Sequence, residues 1–119
     1  MPNILIVDDG SSMTSWMIES LMQEKHQVEV ALDHKDTLKL YDRHRHDLIV
    51  MDLAVAERRK VITELLQQHR DALVLALVGD ESIDYESALN AAISFGAVRI
   101  IRKPFSSAFF LQAVEEQLS

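Results

Sequence analysis

Residues 4–9 read ILIVDD, a run of four apolar residues followed at once by two adjacent aspartates. Residues 48–52 repeat the pattern as LIVMD, with four apolar residues and then Asp52. Continuous apolar runs of this kind are typical of strands in a parallel sheet that is covered on both faces. The two stretches therefore predict buried strands whose carboxyl ends carry negative charge.

The composition is that of one ordinary globular domain. The chain has 119 residues, of which 48% are hydrophobic, enough for a sizeable core. It has no cysteine, which excludes disulfides and thiolate metal sites, and no apolar run long enough to cross a bilayer. With 12 basic and 19 acidic residues the net charge is −7, which disfavours direct nucleic-acid binding and suits cations or basic partner surfaces. These features favour a cytoplasmic protein with no membrane segment.

Apolar runs alternate with segments of helical periodicity along the whole chain. The predicted strands are residues 3–8, 27–31, 47–52, 73–78 and 98–101. The predicted helices are about 11–25, 34–44, 57–69, 83–95 and 106–118, with Ser106 or Ser107 as the cap of the last one. Five successive βα units predict a single α/β domain over residues 1–119, a doubly wound parallel sheet with helices on both faces.

Charged residues follow three of the predicted strands, at the sheet edge where ligands bind in such folds. Asp8 and Asp9 end the first strand, Asp52 ends the third, and Lys103 follows the fifth. Carboxylates held close together need a proton or a cation to offset their repulsion, and oxygen ligands favour a hard ion such as Mg²⁺. Asp52 can act as a nucleophile that becomes an aspartyl-phosphate, and Lys103 can pair with phosphoryl oxygens. A single aspartate after a strand is more simply a turn or cap residue, but the four together favour a phosphoryl-transfer site.

Three stretches, in order and with fitting spacing, resemble the receiver domain of bacterial two-component response regulators. They are ILIVDD at 4–9, HDLIVMDL at 46–53 and GAVRIIRKPF at 96–105. The resemblance covers essentially the whole chain. It implies a flavodoxin-like fold with five parallel strands in the order 2-1-3-4-5.

The resemblance also implies a role for each residue of the charged group. Mg²⁺ would bind Asp8, Asp9 and Asp52, helped by the backbone carbonyl of Ala54. Asp52 would accept a phosphoryl group from the phosphohistidine of a histidine kinase or a phosphotransfer protein. Lys103 would be the lysine that the family places after the fifth strand. The implied function is signalling, and the domain is not expected to be an enzyme.

The chain departs from the family at the positions that normally link phosphorylation to a conformational switch. Val78 stands where receivers place Thr or Ser, and it cannot donate a hydrogen bond to the phosphoryl group. Ile100 stands where receivers commonly place Tyr or Phe, and it offers no large ring to change position. Ser82 is a candidate substitute hydroxyl, although a helix cap is the favoured interpretation of this residue. These departures predict an atypical receiver that accepts phosphate but switches weakly or by another route.

Two other functions stay open. A degenerate receiver would bind partner proteins without being phosphorylated. A phosphatase of the haloacid-dehalogenase type also uses an aspartate at a strand end, but it expects Asp-x-Asp where this chain has Asp-Asp-Gly at residues 8–10.

Two further expectations concern the surface of the domain. A homodimer would form through the face of the fourth helix, the fifth strand and the fifth helix, as in many receivers. Five histidines are predicted to be surface residues: His26, His34, His44, His46 and His69.

Overall fold

The computed structural model describes residues 2–7, 12–52, 64–65, 67–69, 71–78, 98–102 and 105–119. Within these ranges the elements are β1 Asn3–Val7, α1 Ser12–Gln23, β2 Gln27–Ala31, α2 His34–His44, β3 Leu48–Asp52, β4 Val74–Val78, β5 Val98–Arg102 and α3 Ser107–Leu118. Each strand agrees with its predicted bounds to within one residue at either end. Residues 64–65 and 67–68 are also helical, within the predicted helix 57–69, whereas the predicted helix 83–95 lies outside the described residues.

The five strands form one sheet in the order β2-β1-β3-β4-β5, and every neighbouring pair is parallel. This order confirms the predicted flavodoxin-like topology. The chain adds β2 on one side of β1 and β3 on the other, so the strand order reverses between β1 and β3. Among the described residues, no helix is long and apolar enough to span a membrane.

Each face of the sheet carries its own apolar cluster, because successive side chains of a strand point to opposite faces. In β1, Leu5 belongs to the cluster beside α2 and Ile6 to the cluster beside α1 and α3. The α2 side contains Leu5, Val7, Ala31, Tyr41, Ile49, Met51, Leu65, Ala72, Val74 and Ala76. The other side contains Ile4, Ile6, Met17, Leu21, Leu48, Val50, Leu75, Leu77, Ile101, Phe110, Ala113 and Val114. Burial of β1, β3 and β4 on both faces explains why their sequences are continuous apolar runs.

The last helix, α3, begins at a cap that the sequence predicts. The Ser106 hydroxyl accepts a hydrogen bond from the backbone N–H of Phe109 at 3.1 Å, which satisfies a free donor of the first turn. Phe110 is fully buried, whereas its neighbour Phe109 is 46% exposed, because adjacent helical residues point in different directions. Trp16 of α1 packs edge-on against Phe105 and Phe110, with ring centroids 6.0 and 5.8 Å apart. These aromatic contacts join α3 to α1.

The prediction that all five histidines lie at the surface is wrong for three of them. His26, His46 and His69 are only 7%, 3% and 9% exposed. Burial is possible because a charged partner satisfies a ring nitrogen in each case. Nε2 of His26 lies 3.0 Å from Glu115, Nδ1 of His69 lies 2.8 Å from the Arg45 guanidinium, and His46 is paired with a carboxylate of β2.

Candidate functional site

Asp52 is the last residue of β3, at the carboxyl edge of the sheet. The strand lies between β1 and β4, and its first four residues are buried, whereas Asp52 is partly exposed. The register pairs Asp52 with Leu77 of β4. The apolar run of β3 therefore ends in a carboxylate at the sheet edge where ligands bind in doubly wound folds.

The end of β1 lies beside the end of β3. Val7, the last residue of β1, pairs with Met51, and adjacent strands lie about 4.8 Å apart. Asp8 and Asp9 follow Val7 directly in the sequence, but both lie outside the described residues. The structure thus brings Asp52 next to the strand from which the two aspartates continue, while the positions of their side chains stay a prediction.

On the other side of β3, the ends of β4 and β5 are in register. Val78 ends β4 and pairs with Arg102, the last residue of β5. Because β5 is two strands away from β3, its end lies roughly 10 Å from that of β3. Lys103 follows Arg102 in the sequence and falls outside the described part of the chain, as do Ala54 and Ser82. The roles expected for these three residues therefore stay predictions.

The structure describes the side chain of one predicted switch position and only the backbone of the other. Ile100 is partly buried in β5, pairs with Ala76 of β4 and packs against the apolar cluster on the α2 side of the sheet. Its side chain therefore fills space as a stiff aliphatic group. For Val78 the backbone position at the end of β4 is described, while its side chain is not.

An ion pair connects β5 to α3 on the flank of the sheet next to this edge strand. The Arg99 guanidinium donates to the carboxylate of Glu116, and this hydrogen bond lowers the pKa of the Glu116 carboxyl. Gln112, one turn earlier on α3, also donates to Glu116, at 3.2 Å. Phe109, whose side chain is exposed, belongs to the same helix. The face of β5 and α3 thus combines a charged pair with an exposed ring.

The sequence matches the response regulator receiver domain family over residues 4–115. The transcriptional regulatory protein PrrA of Mycobacterium tuberculosis is 29% identical over 119 residues, covering 98% of this chain and 50% of PrrA. The chemotaxis protein CheY of Halobacterium salinarum is 25% identical over 118 residues, covering 98% of this chain and 96% of CheY. This chain thus spans about half the length of PrrA.

A solved structure gives the same fold. The chemotaxis response regulator CheY4 of Vibrio cholerae has a TM-score of 0.83 to this chain at 23% identity, and the alignment covers 99% of both chains. Members of the matching family are receiver domains of two-component systems, and they interact with histidine kinases or phosphotransfer proteins. The family match over residues 4–115 and the strand order 2-1-3-4-5 lead to one conclusion: the chain belongs to the response regulator receiver domain family.

Proposed function

We propose that Asp52 accepts a phosphoryl group from the phosphohistidine of a partner histidine kinase or phosphotransfer protein. The observation that carries the proposal is the position of Asp52, a partly exposed carboxylate at the carboxyl end of a central parallel strand. A carboxylate oxygen of Asp52 attacks phosphorus, the bond from phosphorus to the ring nitrogen breaks, and its electron pair returns to the histidine. The reaction leaves an aspartyl-phosphate and a free imidazole.

The residues predicted to lie near Asp52 are ones that suit Mg²⁺ as ligands. Receiver domains generally bind Mg²⁺ at the phosphorylation site. The ligands proposed here are the carboxylates of Asp8, Asp9 and Asp52 and the carbonyl of Ala54, all oxygen donors of the type that a hard divalent ion prefers. When bound, Mg²⁺ neutralises charge on the phosphoryl oxygens. Lys103 follows β5 in the sequence and supplies a second cation for the same oxygens.

We further propose that phosphorylation shifts the conformation of this receiver only weakly. Val78 gives the phosphoryl group no hydroxyl partner, and Ile100 packs as an aliphatic residue where a mobile ring is usual. A hydrogen bond to a charged group is worth about 1.5–3 kcal/mol, which changes a two-state population about tenfold or more. The remaining hydroxyl candidate is Ser82, after β4.

Acetyl phosphate and Mg²⁺ provide the test, with intact-protein mass as the readout. We expect one phosphoryl adduct on the wild-type chain and none on Asp52→Asn. The matched control is Asp71→Asn, which removes another exposed carboxylate, at the opposite end of the sheet before β4. An adduct that survives Asp52→Asn would contradict the assignment of the acceptor. No adduct on the wild type, with Mg²⁺ binding retained, would favour the second candidate function.

The second candidate is a degenerate receiver that binds proteins without phosphorylation. The same substitutions at Val78 and Ile100 support it, because they remove the usual readout of phosphate. The face of β5 and α3 would be the contact surface, and a homodimer through this face is the expected assembly. Phe109 is 46% exposed there. Sedimentation of wild type and Phe109→Ala tests the surface, since a dimer through it would weaken in the variant whether or not Asp52 is phosphorylated.

A further inference from the structure

Two histidines and a glutamate meet beside the edge strand β2. Glu29 lies in the middle of β2, His44 ends α2, and His46 lies in the loop before β3. Oε1 of Glu29 is 2.5 Å from Nδ1 of His44 and 2.7 Å from Nε2 of His46. The three atoms all lie within 4.8 Å of one another. Two imidazole nitrogens thus contact the same carboxylate oxygen.

The backbone at Arg45 makes this convergence possible. Residues two apart on a continuous helix do not face each other, so His44 and His46 would diverge if α2 continued. Arg45 instead adopts the left-handed conformation, with φ 48° and ψ 61°, and ends the helix. The chain then turns so that the two imidazole rings lie side by side, with centroids 5.9 Å apart. The left-handed region is unfavourable for a residue other than glycine, so the arrangement is held by its surroundings.

Contacts of Arg45 fix the turn in place. Its guanidinium lies 5.9 Å from the centre of the Tyr41 ring and 2.8 Å from Nδ1 of His69. The Tyr41 ring in turn stacks on His46, at 6.2 Å between centroids. His46 is therefore held from one side by an aromatic ring and from the other by Glu29. This is the kind of packing that keeps a ligand side chain in one orientation.

Burial and charge at the cluster suit a cation. The His46 side chain is fully buried, while those of His44 and Glu29 are 38% and 31% exposed. Each ligand nitrogen now shares a hydrogen with Glu29, so zinc binding displaces these hydrogens and releases protons. The Glu29 carboxylate supplies a negative charge to the cation. A cation could reach the cluster from the solvent side, past His44 and Glu29.

We propose that Glu29, His44 and His46 form a binding site for Zn²⁺. Two imidazoles and one carboxylate are a ligand set that zinc uses, with solvent as the fourth ligand. Mg²⁺ prefers oxygen ligands, so this site and the one at Asp52 select different ions. Tetrahedral bonds of about 2.0 Å place ligand atoms about 3.3 Å apart, so binding lengthens the two contacts of Glu29 with the histidines by about 0.6–0.8 Å. The two ligand nitrogens, now within 4.8 Å of each other, settle at the same spacing. The partly exposed His44 and Glu29 can make this movement while the buried His46 stays in place.

The site is separate from the phosphoacceptor. From His46 to Asp52 the chain runs along β3, and six extended residues span about 20 Å. Zn²⁺ would tie β2 to the loop that enters β3, and it would stabilise the fold by an amount that grows with the logarithm of the free zinc concentration above Kd. Failure of zinc binding would leave the proposal for Asp52 untouched, and the reverse also holds.

Zinc titration of the metal-free chain tests the site, by calorimetry with Zn²⁺ and by absorption with Co²⁺. We expect one ion per chain and no competition from Mg²⁺. His44→Gln and Glu29→Gln should each lower the affinity more than about 100-fold, since loss of an outer-shell partner alone costs about 10- to 100-fold. His34→Gln is the matched control, because His34 pairs with Glu64 at 2.5 Å and takes no part in the cluster. Its affinity should equal that of the wild type, as should that of Asp52→Asn.

Three results of the zinc titrations would overturn the proposal. They are no binding at a molar excess of Zn²⁺, binding that survives both His44→Gln and Glu29→Gln, and equal loss in His34→Gln. Because replacement of the buried His46 can unfold the chain, its role is read instead from the ¹⁵N shift of its Nε2 in the wild type. We expect this shift to change on zinc binding, and an unchanged shift would also overturn the assignment. Far-UV circular dichroism checks that each variant is folded.

Discussion

Strand β3 has a different charged region at each end. Asp52, at its carboxyl end, follows an apolar run directly, so its location at the sheet edge can be predicted from chain order alone. The cluster of Glu29, His44 and His46, before its amino end, is assembled from a strand, a helix end and a loop. That assembly depends on the left-handed backbone of Arg45. The first region can be located from a repeated sequence motif, whereas the second can be located only in the folded structure.

The largest expected effect is that a substitution in one of these regions abolishes the function of that region and leaves the other intact. Asp52→Asn should abolish the phosphoryl adduct formed with acetyl phosphate and leave zinc affinity unchanged. His44→Gln should do the opposite, because the two residues lie at different ends of β3. Mass spectrometry and calorimetry on the same samples provide both measurements. If either variant lost both activities while remaining folded, the two regions could not be treated as independent sites.

A smaller effect is expected from restoring a hydroxyl at the carboxyl edge. In Val78→Thr, BeF₃⁻ with Mg²⁺ should shift the conformational population about tenfold more than in the wild type, since the added hydrogen bond to a charged group is worth about 1.5–3 kcal/mol. NMR chemical shifts of β4 and β5 amides measure this population. Val78→Ala changes the side-chain volume without adding a donor and should show no such gain. An equal response in Val78→Ala would mean that the missing hydroxyl does not limit switching.

Two left-handed residues in the described part of the chain provide a test of how the histidine cluster is held. Lys25 and Arg45 both have positive φ, 66° and 48°, and Lys25 has an exposed side chain. Lys25→Gly should raise the free energy of unfolding by about 1 kcal/mol, because glycine adopts this conformation without a steric penalty. Arg45→Gly should gain less or lose stability, since it removes the contacts with Tyr41 and His69. Urea denaturation measures both, and equal gains would show that the Arg45 side chain does not support the turn.

The smallest effect concerns a carboxylate whose partner is a permanent cation. Glu116 is paired with Arg99, whereas Glu29 is paired with two histidines, which carry a charge only when protonated. Arg99→Gln should return the pKa of Glu116 towards its ordinary value of 4.5, and Gln112→Ala should move it less.

The sign of the accompanying pH dependence follows from the direction of the pKa shift. Because the folded pKa of Glu116 is lowered, its contribution to stability is present above pH 4.5 and disappears as the pH falls through the folded value. NMR titration of the Glu116 side chain in wild type and Arg99→Gln measures the shift. An unchanged pKa in Arg99→Gln would contradict the role given to the guanidinium.

Much of the fold could be predicted because the residue patterns of single strands and helices agree with the way these elements pack. The runs before Asp8 and Asp52 are apolar on both faces, and the structure covers both faces of those strands. Ser106 is a residue type that favours helix starts, and it caps α3 as expected. The strand order came from the family resemblance, since apolar runs alone do not determine which strands are neighbours.

The histidine cluster could not be predicted from the sequence. Helical spacing predicts that His44 and His46 lie on different faces. The helix ends at His44, however, so this spacing does not apply to His46. The left-handed residue between them is arginine, which gives no turn signal of the kind that glycine or asparagine would. Glu29 lies 15 and 17 residues earlier in the sequence, and only the pairing of β2 with β1 brings it near.

The packing of Trp16 gives the chain a built-in optical reporter. It is the single tryptophan of the sequence, and it sits edge-on to Phe105 and Phe110. Phe105 comes two residues after Lys103, whereas Glu29 is in register with Leu5 of the cluster on the opposite face of the sheet. The fluorescence of Trp16 should therefore change with conformational changes at the end of β5 and stay constant when zinc binds. One fluorescence measurement can thus distinguish changes at the phosphoacceptor end of the sheet from zinc binding.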